Sequence, residues 1–186
     1  YNKLKRSGYI PVGFDHYVLP GDELYLALER NMLHRNFQGY CTRRTTGQVY
    51  AFGVSAISQL ENAYIQNIKS VKEYTELLDN NTLPVEKGRT LNEKEKITRE
   101  IITHLMCNRS IDWEMMSKML GTNISVVKES VRISKEALNG FADDGLIEFD
   151  DNNIIVTETG SMFIRNVAAS LDPAYMPIEN KYSKSV

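Results

Sequence analysis

His34-Arg35-Asn36-Phe37-Gln38-Gly39-Tyr40 sets His, Arg, Asn, Gln, Phe and Tyr side by side around one Gly. A core segment would not tolerate so many polar groups, because each needs a partner once buried. A solvated loop has no use for two aromatics. The composition suits a loop that lines a polar pocket. The later run Gly53-Val54-Ser55-Ala56-Ile57-Ser58 reads as a short buried strand that carries small residues to the same place.

Working outward, Gly8-Tyr9-Ile10-Pro11-Val12-Gly13-Phe14 reads as another short strand, and Pro11 makes it an edge or an irregular barrel strand. Asp15 and His16 follow at its end. They are either site residues, as at the C-terminal ends of barrel strands, or simple caps. Asp22 suits the N-cap of a helix bearing Leu24, Leu26, Ala27 and Leu28. Tyr50 to Ser58 reads as the next strand. Ser58 to Asn81 reads as helical in two parts, with Ile65, Ile68, Val71, Tyr74, Leu77 and Leu78 at helical spacing. Leu83 to Leu91 is a linker or short strand, with Pro84 and Gly88.

The second half differs in character. Leu91 to Cys107 is amphipathic, and Asn92 with Glu95 predicts a capping box. Ile111 to Leu120 predicts a second helix closed by Gly121, and Ser125 to Asp143 a longer third. Residues 145–157 read as a hairpin around Asp151-Asn152-Asn153, and Thr159-Gly160 opens a last helix through Leu171. Three helices, a hairpin and a closing helix make a winged-helix-like pattern. The expected units are 1–82, 83–90 as linker, 91–175, and a frayed tail at 176–186.

The chain has 186 residues, 42% hydrophobic and 25% charged, with net charge −2. That is ordinary for a globular protein and lends no support to phosphate neutralisation. No apolar run approaches the roughly 20 residues that span a bilayer. No signal peptide opens the chain, so a reducing cytoplasm is expected. Cys41 and Cys107 lie far apart, and His16, His34 and His104 are scattered, so no metal-ligand spacing is present. The chain begins at Tyr1 and reads as a piece of a longer protein.

Several motifs resemble the oxygen-independent coproporphyrinogen III oxidases, a radical S-adenosylmethionine family of haem synthesis. Gly13-Phe14-Asp15-His16, Pro20-Gly21-Asp22-Glu23-Leu24, the stretch 34–40, the run 53–58 and Tyr64-x-Gln66-Asn67 match in the first half. Cys107-Asn108, Asp143-Asp144-Gly145-Leu146, Thr157-x-x-Gly160 and Ile164-Arg165-Asn166 match in the second. The resemblance covers nearly the whole chain. It implies an α/β fold: the last strands and helices of a partial (β/α) radical barrel, then a mainly helical, winged-helix-like domain.

The resemblance also implies chemistry. In the intact enzyme an adenosyl radical takes hydrogen from a propionate β-carbon, and loss of an electron and carbon dioxide leaves a vinyl group. This happens twice and gives protoporphyrinogen IX. S-adenosylmethionine and a 4Fe-4S cluster are the implied cofactors, with coproporphyrinogen III, an electron donor and the upstream part of the chain as partners. The intact protein is expected to be a monomer that meets neither membrane nor nucleic acid. The family's Cys-x-x-x-Cys-x-x-Cys motif is absent here. No side chain can replace the cluster as reductant, so this chain alone is expected to be inactive and to hold neither catalytic nor metal-ligating residues.

By the same resemblance Ile57 matches a position that contacts S-adenosylmethionine, and Phe37 and Gln38 match positions near a second molecule of it. Plain core packing is the bland reading of Ile57. Arg35 has the planar fork for a propionate or serves as a structural ion pair. His34 is a candidate at the substrate, as acid or base, or a hydrogen-bonded structural residue. Two other functions compete. A winged-helix DNA-binding module would use Lys128, Arg132 and Lys135, but Glu129, Glu136, Glu148, Asp150 and Asp151 lie beside them and would repel phosphate. A haem-binding relative of the same superfamily is opposed by the intact stretch 34–40.

Overall fold

Short connections shape the first half. In the computed structural model, which describes residues 1–37, 39–42 and 48–176, Ile10–Val12 (β1) folds back on His16–Val18 (β2). Asn2–Arg6 (α1) precedes this hairpin, and Asp22 caps Glu23–Glu29 (α2), its carboxylate accepting from the Leu24 N–H at 2.9 Å. Leu33–Asn36 (β3) pairs with Gly39–Thr42 (β4). Ile57–Gln59 (β5), Ala63–Asn67 (β6) and Val85–Thr90 (β7) form a sheet in that order.

Every pairing among the described strands is antiparallel. The parallel pairing of barrel strands is not seen among the described residues. A parallel pair needs a crossover of about a dozen residues or more. The links at 13–15 and 60–62 are tight, so only hairpins can form there.

Three further expectations change. Of the strand read over 50–58, only β5 forms. The first part of the helix read over 58–81 is the strand β6, and only the second part, Val71–Asp79 (α3), is helical. The spacing of Ile65 and Ile68 fits a helix, yet β6 is the central strand and has hydrogen-bonded partners on both edges. Tyr64 and Ile65 also favour a pleated surface, so pairing outweighs local periodicity. The stretch 83–90, expected as a linker unit and read as a linker or short strand, takes the strand: most of it is β7, in register with β6 from Ala63↔Thr90 to Asn67↔Val85.

The second half follows its sequence more closely. Glu93–Asn108 (α4) begins with the capping box: Asn92 Oδ1 accepts from Glu95 N at 3.0 Å, and Glu95 Oε2 accepts from Asn92 N at 2.9 Å. Ser110–Asp112 (β8) leads into Trp113–Leu120 (α5), which ends on Gly121 at φ 62°. The single third helix is in fact two, Ile124–Glu129 (α6) and Lys135–Asp143 (α7). Ser130 Oγ donates back to Val126 O, Ser134 Oγ caps Ala137 N, and Arg132 N donates to Leu171 O. These competing hydrogen bonds break the helix.

Ile147–Phe149 (β9) and Asn153–Val156 (β10) form the expected hairpin, and the sheet order is β8-β10-β9. A 3₁₀ turn over Gly160–Phe163 precedes Ile164–Leu171 (α8). Ile101, Leu105, Ile111, Met116, Ile154, Ile164 and Leu171 are buried together as the core of this half. The result is a mixed α/β fold. No helix among the described residues is long and apolar enough to cross a membrane.

The halves meet along α4. A smaller core of Val12, Ala27, Leu33 and Tyr40 takes in Cys107 from that helix. The Tyr40 hydroxyl donates to Met106 O at 3.1 Å, and Arg109 Nη2 donates to Gly13 O at 2.8 Å.

Candidate functional site

Residues 34–36 and 39–40 pair as a hairpin, and the 13–16 turn clasps it. A Cβ on Gly13 would lie 1.9 Å from the Tyr40 ring, so the backbone and the ring are in direct contact. Gly13 also sits at φ 63°, which favours glycine. Phe14 and His16 both meet the Tyr40 ring edge-on. His16 is held by Asp15, Nδ1 to Oδ1 at 2.7 Å. Burial pushes the Tyr40 phenol up to about 12; Cys107 adds to this and Arg35 opposes it.

Beyond the hairpin lies a cleft of about 730 Å³, a size suited to a small organic ligand. Its walls are the end of β3 (Arg35, Asn36, Phe37), one face of the β5-β6-β7 sheet (Gln59, Tyr64, Arg89) and the exposed side of α4 (Lys94 to Thr103). Glu129, Ser130 and residues 172–174 close it. Phe37 stands edge-on to Tyr64, with ring centres 5.4 Å apart.

Its cations differ in their freedom. Arg99 donates to Leu60 O at 3.0 Å and Glu61 O at 2.9 Å, which ties α4 to the sheet. Its guanidinium also sits 5.9 Å from the Tyr64 ring centre. Burial raises the Tyr64 pKa, and Arg99 opposes that. Arg89 pairs with Glu95. Glu95 titrates below its ordinary value, first because it accepts from the Asn92 backbone and then because of Arg89. Arg35 is different. Its Nε is buried and has no hydrogen-bond partner among the described residues. Its charge rests against the Phe14 and Tyr40 rings, 5.7 Å from each centre.

Arg35 and Phe37 therefore line one cleft. His34 is buried on β3, opposite Cys41 in the register, and is not part of the cleft wall. Gln38 lies outside the described residues. Ile57 is half-buried and does not line the cleft, yet it shares a sheet face with Gln59 and Tyr64, which do. Sequence reasoning missed Arg89, Lys94 and Arg99. The one available signal was Arg99 four residues after Glu95 on an amphipathic helix. Among the described residues no three His, Cys, Asp or Glu side chains gather as a metal site. With only two cysteines, Cys41 and Cys107, the chain cannot supply the three thiolates of the cluster motif.

The basic residues of the DNA alternative do not form one helix face. Arg132 lies in the break between α6 and α7 and donates to Pro173 O at 2.8 Å, while Lys128 Nζ donates to Asp151 O at 2.6 Å.

Residues 91–163 match the HemN C-terminal domain family. The chain is 32% identical over 183 residues to the oxygen-independent coproporphyrinogen III oxidase of Helicobacter pylori, an alignment covering 98% of this chain and 39% of that protein. It is 37% identical over 171 residues to that of Synechocystis, covering 91% and 36%. It is 35% identical over 170 residues to that of Escherichia coli, covering 91% and 36%. The solved structure of coproporphyrinogen III oxidase (HemN) from Escherichia coli, a radical SAM enzyme, superposes with a TM-score of 0.80 at 33% identity, over 92% of this chain and 39% of that one. The chain thus spans well under half the length of these relatives.

Proposed function

Because this chain belongs to the oxygen-independent coproporphyrinogen III oxidases and aligns with their C-terminal portion, we propose that it is the substrate-facing end of such an enzyme. The full-length protein would oxidatively decarboxylate two propionates of coproporphyrinogen III to vinyls. A 4Fe-4S cluster ligated outside these residues would supply the reducing electron, and S-adenosylmethionine the radical. The chain's own part is to bind and orient.

Arg35 carries this reading. A half-buried guanidinium with an unpartnered Nε, held by two rings at a cleft wall, suits a carboxylate fork. Phe37 and Tyr64 offer an aromatic edge to the pyrrole rings of the substrate. Ile57, Phe37 and Gln38 are proposed as S-adenosylmethionine contacts. His34, buried behind the cleft, is proposed to shape the substrate loop. The antiparallel hairpins would close the end of a barrel built by upstream chain. The second half, with helices before a β8-β10-β9 sheet, is read as winged-helix-like and given no nucleic-acid role. The protein is proposed to be cytoplasmic and monomeric and to draw on a separate electron donor.

The test is anaerobic turnover. The full-length enzyme should convert coproporphyrinogen III, and the 186-residue chain alone should not. Arg35→Gln in the full-length enzyme should raise KM by about tenfold, the worth of one charged hydrogen-bonding pair. An unchanged KM would remove Arg35 from the substrate site. Turnover by the short chain would overturn the division of labour.

A further inference from the structure

Phe14 packs against both hydrophobic cores, and two guanidiniums converge on its ring. Arg165, on α8, holds its guanidinium carbon 4.2 Å from the ring centre; Arg35, on β3, lies at 5.7 Å. Neither makes an ion pair or a hydrogen bond among the described residues. A third cation at this junction, Arg109, donates to the neutral Gly13 carbonyl at 2.8 Å. The neighbouring carboxylate, Asp15, is taken by His16. The place where the two halves meet therefore gathers three guanidiniums: Arg109 is met by the Gly13 carbonyl and the Glu158 charge, whereas Arg35 and Arg165 rest on aromatic rings. Like charges gathered on one ring repel, and ring contact compensates less than a carboxylate fork does.

We propose that Arg165 and Arg35 form a carboxylate-binding pair at the rim of the cleft, and that the pair holds a propionate the reaction leaves intact. The proposal rests on the tetrapyrrole reading above and adds a substrate-binding residue from the second half. A planar bidentate anion is the chemistry two forks recognise best. The choice of an intact propionate follows from charge. Two guanidiniums stabilise a carboxylate as the anion, which opposes loss of carbon dioxide. Binding energy from such a non-reacting group is what orients the reacting one. Arg165 is exposed and not on the cleft wall, whereas Arg35 is half-buried and on it; the Phe14 ring is the surface they share.

The experiment uses the full-length protein and two air-stable probes, coproporphyrin III and its tetramethyl ester, titrated by fluorescence quenching. Wild type should bind the acid at least about tenfold more tightly than the ester. Arg165→Gln should weaken the acid by about tenfold and leave the ester unchanged. Arg165→Lys, which keeps the charge but not the fork, should lose part of the acid affinity, and it carries the test if the glutamine variant does not fold. Unchanged acid binding in these variants, or equal loss for acid and ester, would overturn the pair. If wild type bound neither probe, the tetrapyrrole reading would fall and take this proposal with it. Acid preference in wild type with no effect at Arg165 would sink the pair alone.

Discussion

Tyr40 shows how much one side chain can organise. Its ring fills the space under Gly13, its edge contacts Phe14 and His16, and its hydroxyl reaches Met106 on α4. The phenol ionises near 10 when exposed and near 12 here. Between those values the unfolded chain releases a proton that the folded chain keeps, so stability is complete below pH 10 and falls as pH rises through that window. Tyr40→Phe should cost about 1 kcal/mol at neutral pH for the lost hydrogen bond and should flatten the alkaline limb. Denaturant melts from pH 7 to 12 would show both. The sequence marked the 34–40 stretch as a polar, aromatic pocket segment, but nothing local told that Tyr40 faces inward while Arg35 reaches the cleft.

Elements formed by local chemistry match their sequence signals. The Asn92–Glu95 capping box, the Asp22 cap, the Gly121 stop and the turn where Asp150 accepts from Asn152 and Asn153 at 2.7 Å all stand where short-range hydrogen bonds place them. Asn92→Ala should cost about 1 kcal/mol, seen as a lower Tm and earlier exchange of the first-turn amides of α4. Glu95 has a lowered pKa in the fold. Its contribution is therefore full above the ordinary carboxylate value of 4.5 and lost as acid carries the pH down through the lowered one. Glu95→Gln should make the acid limb shallower. Elements that depend on distant partners depart from their local signals. Strand β6 carried a helical spacing, and its identity came from β5 and β7. The break between α6 and α7 was hidden because Arg132 bonds to Leu171, far along the chain.

At the scale of the molecule, α4 is the shared wall. Arg99 fastens it to the 60–61 turn, Arg109 to Gly13, and Met106 to Tyr40. At the far end Lys5 and Tyr1 both reach Glu158, at 2.5 and 2.7 Å. Arg99→Ala should cost about 1–2 kcal/mol, since the partly buried Leu60 carbonyl and the exposed Glu61 carbonyl lose a charged donor. It should also loosen the β5-β6-β7 sheet from α4 before the second core melts, which hydrogen exchange resolved by segment would detect as early exchange confined to 57–67 and 85–90. A single transition with uniform protection loss would contradict that. Composition, caps, turn residues and motif spacing sufficed for the mixed α/β class, most of the second half and the family, because those signals arise from contacts a few residues apart. The antiparallel pairing of the first half, the cleft between hairpin and α4, and the meeting of Arg35 and Arg165 over Phe14 emerged only on folding. They join residues dozens of positions apart, and long-range packing leaves no periodic mark in a single sequence.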